Sequence, residues 1–172
     1  MDHLKKYITD IKDFPKEGII FKDINTIYKK PKIWNELMSP LEKLVSDTKP
    51  DYLAGIESRG FISASALAFK KEIGFIAIRK PKKLPGKVIG INYQLEYGED
   101  RLEIQEGLFN INSKVVIIDD LLATGGTASA AGQLIRAAGG NLIGFGFLLE
   151  LTKLRGRNKL DPSLFIKSVI KY

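Results

Sequence analysis

The 172-residue sequence predicts an α/β domain built on a central, mainly parallel twisted sheet flanked by helices. Three observations lead there. Two strand–helix–strand units follow one another, at about 52–78 and 115–149. Their strands, such as Val115-Val116-Ile117-Ile118, barely alternate apolar with polar residues, which is how strands buried on both faces read. No internal period and no Pro-, Gly- or Ser-rich linker divides the chain, so 1–172 is expected to form a single domain.

Taken in order, Ile33, Trp34, Leu37, Met38, Leu41, Leu44 and Val45 recur at helical spacing after Pro31, which suits a first turn. Pro40 lies inside that stretch and is expected to kink the helix or to restart it with Ser39 as a cap. Tyr52 to Ile56 forms a short apolar strand, Phe61 to Lys70 a helix, and Phe75 to Ile78 a second strand. Val88 to Tyr97 and Leu102 to Ile104 alternate as exposed strands do, suiting an antiparallel hairpin or a mobile flap. The second unit follows with Val115 to Ile118, a helix from Ala128 to Ala138, and a strand from Leu142 to Leu149.

Composition narrows the function. A chain of this length buries roughly 70% of the surface its unfolded form exposes, enough to need no disulfide or structural metal. With no cysteine, a thiolate nucleophile, an iron–sulfur cluster and a Cys-ligated zinc are excluded. A single histidine, His3, argues against a His-based triad or a multi-His metal site. No apolar leader and no stretch of about 20 apolar residues is present, so a cytoplasmic protein with no membrane contact is expected. The 27 Lys plus Arg against 20 Asp plus Glu, a net +7, point to a polyanionic partner. That charge is uneven. Lys70, Lys71, Arg79, Lys80, Lys82, Lys83 and Lys87 cluster with only Glu72 among them, and the sign reverses from Glu96 to Glu106.

The segment Val115 to Ala128, VVIIDDLLATGGTA, carries the chemistry. Ligands of open α/β sheets sit beyond the carboxyl ends of the strands, where Asp119 and Asp120 stand. Paired carboxylates there can accept hydrogen bonds from vicinal hydroxyls or orient a hydrated cation. Ala123-Thr124-Gly125-Gly126-Thr127 adds consecutive backbone N–H groups, two hydroxyls and a helix N-terminus, which together describe a phosphate cradle. A lone Gly-Gly turn beside two acids would read as ordinary loop chemistry; the whole constellation does not. Neither GxxxxGK[ST] nor GxGxxG is present, so nucleoside triphosphatase and dinucleotide readings lose their support.

This segment resembles the phosphoribosyl-diphosphate-binding motif of the type I phosphoribosyltransferases. Further segments agree over nearly the whole chain: Asp13 to Ile24 (DFPKEGIIFKDI), Gly55 to Phe61 (GIESRGF), Arg79 to Gly86, Tyr93 to Gly98 (YQLEYG), and Leu149 to Arg157. The FPKxGIxFKDI and LEYG segments are similar to the branch of the family that uses adenine.

The resemblance implies a type I phosphoribosyltransferase-like fold, with about 1–30 as a base-binding hood and about 80–106 as a flexible flap. It implies transfer of phosphoribosyl from 5-phosphoribosyl 1-diphosphate to adenine in purine salvage, with Mg2+ held mostly by substrate oxygens and water, in a homodimer. Asp119 and Asp120 would meet the ribose hydroxyls, and Ala123, Thr124, Gly125, Gly126 and Thr127 the 5′-phosphate. Glu57, Ser58, Arg59, Arg79, Lys80 and Lys83 would face the diphosphate. Ile20, Phe21, Lys22 and Leu151 would surround the adenine, Tyr97 would belong to the flap, and Glu96 would be the acid/base. Glu96, Arg59 and Asp120 are thus the catalytic set, while Arg157 has no assignment.

Two rival readings stay open on the residues alone. One is the same chemistry with hypoxanthine, guanine, xanthine or orotate. The other is a non-catalytic regulator that binds phosphoribosyl diphosphate or RNA. RNA recognition would favour aromatics interleaved with the lysines, and from Lys80 to Lys87 there are none.

Overall fold

The computed structural model describes residues 1–94 and 98–172. After a 3-10 turn (Asp2–Tyr7), the strands β1 (Thr9–Lys12) and β2 (Ile20–Asp23) form an antiparallel hairpin. A short helix α1 (Asn25–Tyr28) leads into α2 (Pro31–Thr48). Next come β3 (Tyr52–Ile56), α3 (Arg59–Lys71) and β4 (Gly74–Ile78). A second antiparallel hairpin, β5 (Val88–Gln94) with β6 (Glu99–Gln105), precedes β7 (Lys114–Leu122), α4 (Gly126–Ala137), β8 (Asn141–Glu150) and β9 (Phe165–Lys171).

The central sheet has the order β4-β3-β7-β8-β9 with every neighbouring pair parallel. Alternate residues of β7 explain why its sequence does not alternate. Val116 and Ile118 face a core shared with α2, α3 and the N-terminal segment, whereas Val115 and Ile117 face one shared with α4 and β6. All four are fully buried. Burying each such side chain is worth about 1.5–3 kcal/mol, which holds helices on both faces of the sheet.

Two expectations are corrected and a third is met in part. The helix after Pro31 runs unbroken through Pro40 to Thr48, although Pro40 can donate nothing to the carbonyl one turn back. Leu37, Leu41 and Leu44 with Met38 and Val45 form a buried stripe on both sides of that position, and its packing outweighs one lost hydrogen bond. The β5–β6 pair is the antiparallel hairpin that the alternation suits, but its strands are not simply exposed: Leu102 and Ile104 are fully buried against α4, and the backbone of Arg79 pairs with that of Glu103. Strand β7 continues to Leu122, so Asp119 and Asp120 lie within the strand, ahead of its end.

The sequence pattern does not predict the edge strand β9 or the pairing of β1 with β2.

Candidate active site

The order β4-β3-β7 positions the site. From β3 the chain enters α3 on one face of the sheet, and from the adjacent β7 it enters α4 on the other. Where neighbouring strands send their connections to opposite faces, a crevice opens at their carboxyl ends. Here it is a cleft of about 420 Å³ walled by Ile56–Arg59 after β3, by 119–128 after and within β7, and by Lys80 after β4.

Asp119 and Asp120 form its floor. Gly60, at the start of α3, allows this approach: a Cβ there would stand 2.7 Å from the Asp119 carboxylate. The Asp120 backbone N–H donates to Asp119 Oδ1 at 2.9 Å. Burial, reinforced by the neighbouring Asp120 charge, pushes the Asp119 carboxyl well above its ordinary range. Burial raises Asp120 too, opposed by Arg59, whose Nε lies 2.6 Å from Asp120 Oδ2. Two adjacent raised carboxylates in a cleft mark a candidate functional site.

The Arg59 guanidinium also lies 4.9 Å from the Phe21 ring centroid, and Phe14 packs edge-on against Phe21 at 5.1 Å. Arg59 therefore joins the floor of the cleft to the β1–β2 hairpin that carries Ile20, Phe21 and Lys22. Ile20 is half exposed, while the Lys22 ammonium is held by Asp10 at 2.7 Å, leaving only its backbone for recognition. Leu151 is not in the cleft wall itself; its N–H donates to the carbonyl of the wall residue Leu122 at 2.9 Å.

Ala123 to Thr127 turn into α4 with Gly125 at the N-cap, φ 80°, in the left-handed region that favours glycine. The first-turn N–H groups of α4 have no partner within the helix, and residues 123–128 of this helix entry line the cleft.

Among the basic residues the structure discriminates. Lys80 lines the cleft. Arg79 instead binds Glu57 through Nε and Nη2, both at 3.2 Å, and the Lys83 carbonyl at 2.9 Å. Glu57 also accepts the Lys80 N–H at 2.9 Å, and these bonds hold its carboxyl below the usual range. Arg79 and Glu57 thus brace the segment that presents Lys80, and Lys83 is exposed. The Glu57–Ser58 peptide is cis. Glu96 and Tyr97 lie outside the described residues.

Three further side chains meet here to which the sequence assigned no role. Tyr93 on β5 donates to Asp100 on β6 at 2.9 Å and accepts from Lys80 at 3.3 Å and from Thr127 at 3.4 Å. Lys80 also pairs directly with Asp100. Burial works against the Lys80 charge, yet the bonds to Asp100 and Tyr93 keep its pKa raised. Tyr28 is the third: its hydroxyl is buried without a hydrogen-bond partner among the described residues, and burial together with the Asp120 charge pushes its pKa up. An alternating hairpin and a tyrosine at a helix end give no hint of such roles without the fold.

The phosphoribosyl transferase domain family matches residues 23–169. The adenine phosphoribosyltransferase of Prochlorococcus marinus (strain NATL2A) is 70% identical over 172 residues, covering both chains completely. The chain belongs to the phosphoribosyltransferase family, in its adenine phosphoribosyltransferase branch. The crystal structure of the adenine phosphoribosyltransferase from Thermoanaerobacter pseudethanolicus superposes with a TM-score of 0.94 at 44% identity, covering 99% of this chain and 98% of that one. That from Saccharomyces cerevisiae, complexed with adenine and an imino-altritol bisphosphate, superposes at 0.89 with 38% identity over 97% and 96%. The parallel sheet flanked by helices is the fold of this family.

Proposed function

We propose that the cleft transfers phosphoribosyl from 5-phosphoribosyl 1-diphosphate to adenine, giving AMP and diphosphate. One observation carries the reading: a paired, desolvated diacid and a helix-entry phosphate loop share one cleft, in a chain similar over its full length to adenine phosphoribosyltransferases. The loop 123–127 receives the 5′-phosphate on backbone N–H groups and Thr hydroxyls, and Asp119 and Asp120 accept from the ribose hydroxyls. Lys80, Ser58 and the free edge of Arg59 attract the diphosphate, with Arg79, Glu57 and Lys83 bracing them. Fixed donors at the leaving group stabilise the charge it gains as the C1′–O bond breaks and the adenine N9–C1′ bond forms. The proton from N9 goes to the Glu96 carboxylate, a role that rests on the sequence resemblance alone. Ile20 and Lys22 backbone groups, the Phe21 ring and Leu151 hold the base.

Among the described residues no group of three or more His, Cys, Asp or Glu could hold a metal ion. The oxygens of Asp119 and Asp120 nevertheless fit a hard cation, so Mg2+ would be oriented by these two and bound mostly by substrate oxygens and water. When bound, it neutralises diphosphate charge. The exposed Phe69, Ile62 and Phe75 on α3 and the edge strand β4 support a homodimer. No described helix is long and apolar enough to cross a membrane, which fits a cytoplasmic enzyme with soluble substrates.

The test is AMP formation from adenine, 5-phosphoribosyl 1-diphosphate and Mg2+ against a panel of hypoxanthine, guanine, xanthine and orotate. Adenine is expected to dominate, and Asp120→Asn and Glu96→Gln should each cut turnover at least ~10-fold. Turnover with another base and none with adenine would sink the reading.

A further inference from the structure

Arg157 lies outside the cleft, yet it is among the most fully engaged side chains of the molecule. Its Nε and Nη2 grip the buried Glu150 carboxylate at 3.2 and 2.8 Å. Nη1 donates to the Ile166 carbonyl at 3.2 Å, and Nη2 to the Ser168 hydroxyl, also at 3.2 Å. One guanidinium is thereby fixed to the end of β8 and to two points on β9. A planar fork holds such an arrangement where a lysine could not. The hydrogen bond from Arg157 keeps the Glu150 carboxyl below its usual range, as a pair formed in the folded state should.

The residue before it, Gly156, touches the phosphate loop backbone against backbone. A Cβ on Gly156 would run into the Ala123 carbonyl oxygen and stand 2.9 Å from the Gly125 nitrogen. A Cβ on Gly125 would in turn run into the Gly156 carbonyl oxygen and stand 2.9 Å from its carbon. The chain reaches this contact through Arg155 in the left-handed region, φ 51°. The rear of the loop therefore rests on Gly156, and Gly156 is anchored to the sheet by Arg157.

We propose that Gly156 and Arg157 form a positioning element that fixes the 5′-phosphate loop from behind, so that its N–H groups are aligned before the phosphate arrives. The proposal rests on the assignment of 123–127 to the 5′-phosphate. Ordering the loop during folding removes that cost from binding, and the gain falls on the phosphate end of the substrate alone. Loss of the element should therefore weaken ribose 5-phosphate and 5-phosphoribosyl 1-diphosphate while leaving adenine untouched.

Calorimetric titration of wild type, Gly156→Ala and Arg157→Lys with ribose 5-phosphate, beside steady-state KM values for both substrates, tests this. Gly156→Ala is expected to weaken ribose 5-phosphate at least ~10-fold and to raise KM for 5-phosphoribosyl 1-diphosphate in step, with KM for adenine changed less than about twofold. Arg157→Lys, which keeps a charge opposite Glu150 but loses the fork, should give an intermediate loss of about threefold, and it carries the test if Gly156→Ala does not fold. A lowered melting temperature with unchanged ribose 5-phosphate affinity in the folded variants would show a purely structural role and overturn the proposal. Failure of the underlying functional reading would appear differently, as a wild-type protein that neither binds ribose 5-phosphate nor forms AMP.

Discussion

Replacing Arg59 with methionine keeps most of the side chain's length and removes the charge 2.6 Å from Asp120. At an effective dielectric of about 20 and a separation of about 4 Å between charge centres, the pair is worth about 4 kcal/mol before other costs. The Arg59 side chain is 36% exposed, so water and salt screen it, and the net contribution falls to about 1–2 kcal/mol. For a chain of this size that is a melting temperature lowered by about 2–8 °C near neutral pH. The pH dependence distinguishes this cause from lost packing. Burial already raises the folded-state pKa of Asp120 above its ordinary value, and Arg59 opposes the rise. Without Arg59 the folded pKa climbs further. A raised carboxyl leaves stability intact below its unfolded value of about 3.9 and loses it as pH rises through the folded pKa. The deficit of the variant should therefore be full near pH 7.5 and shrink towards zero as pH falls to about 4. Urea melts of both proteins at several pH values read it directly. A deficit equal at pH 4.5 and pH 7.5 would refute the electrostatic account and point to lost contact with Phe21.

Two further predictions use the same floor and its neighbours. Asp119→Asn should raise the melting temperature at pH 7.5, because it removes a buried charge whose pKa burial raises while its amide oxygen still accepts from the Asp120 N–H; AMP formation should fall at least ~10-fold. A variant both less stable at pH 7.5 and fully active would contradict the cost assigned to that carboxylate. Tyr93→Phe keeps the ring and loses the hydroxyl that joins Lys80, Asp100 and Thr127, so KM for 5-phosphoribosyl 1-diphosphate should rise about 3–10-fold with KM for adenine steady. Unchanged kinetics would leave the network without a role in binding.

Much of the fold was legible because period and composition report burial directly. The run Val115 to Ile118 reads as a strand covered on both sides, and Leu37, Leu41 and Leu44 as one stripe of a helix, and both are so placed. Pro40 misled because local propensity acts on one hydrogen bond, whereas the helix is held by a whole buried face. The β5–β6 hairpin looked exposed because both strands alternate and β6 carries four charges, Glu99, Asp100, Arg101 and Glu103, yet Leu102 and Ile104 bury one side of it against α4. Strand β9 carries a weak sequence signal because, at the sheet edge, only its later residues are buried.

At the site, the sequence by itself determined the candidate constellation: two acids in an apolar strand followed by a Thr-Gly-Gly-Thr helix entry, where residue type and spacing are contiguous and need no fold to be seen. Only the tertiary structure decided which distant groups complete it. Arg59 meets Asp120 and Phe21, Arg79 is taken up by Glu57 while Lys80 remains in the cleft, and Gly156 packs against the 123–127 loop with Arg157 behind it. The physical reason is that hydrogen bonds and ion pairs act over a few ångströms in space, and the chain brings such partners together only after the sheet order β4-β3-β7-β8-β9 is set.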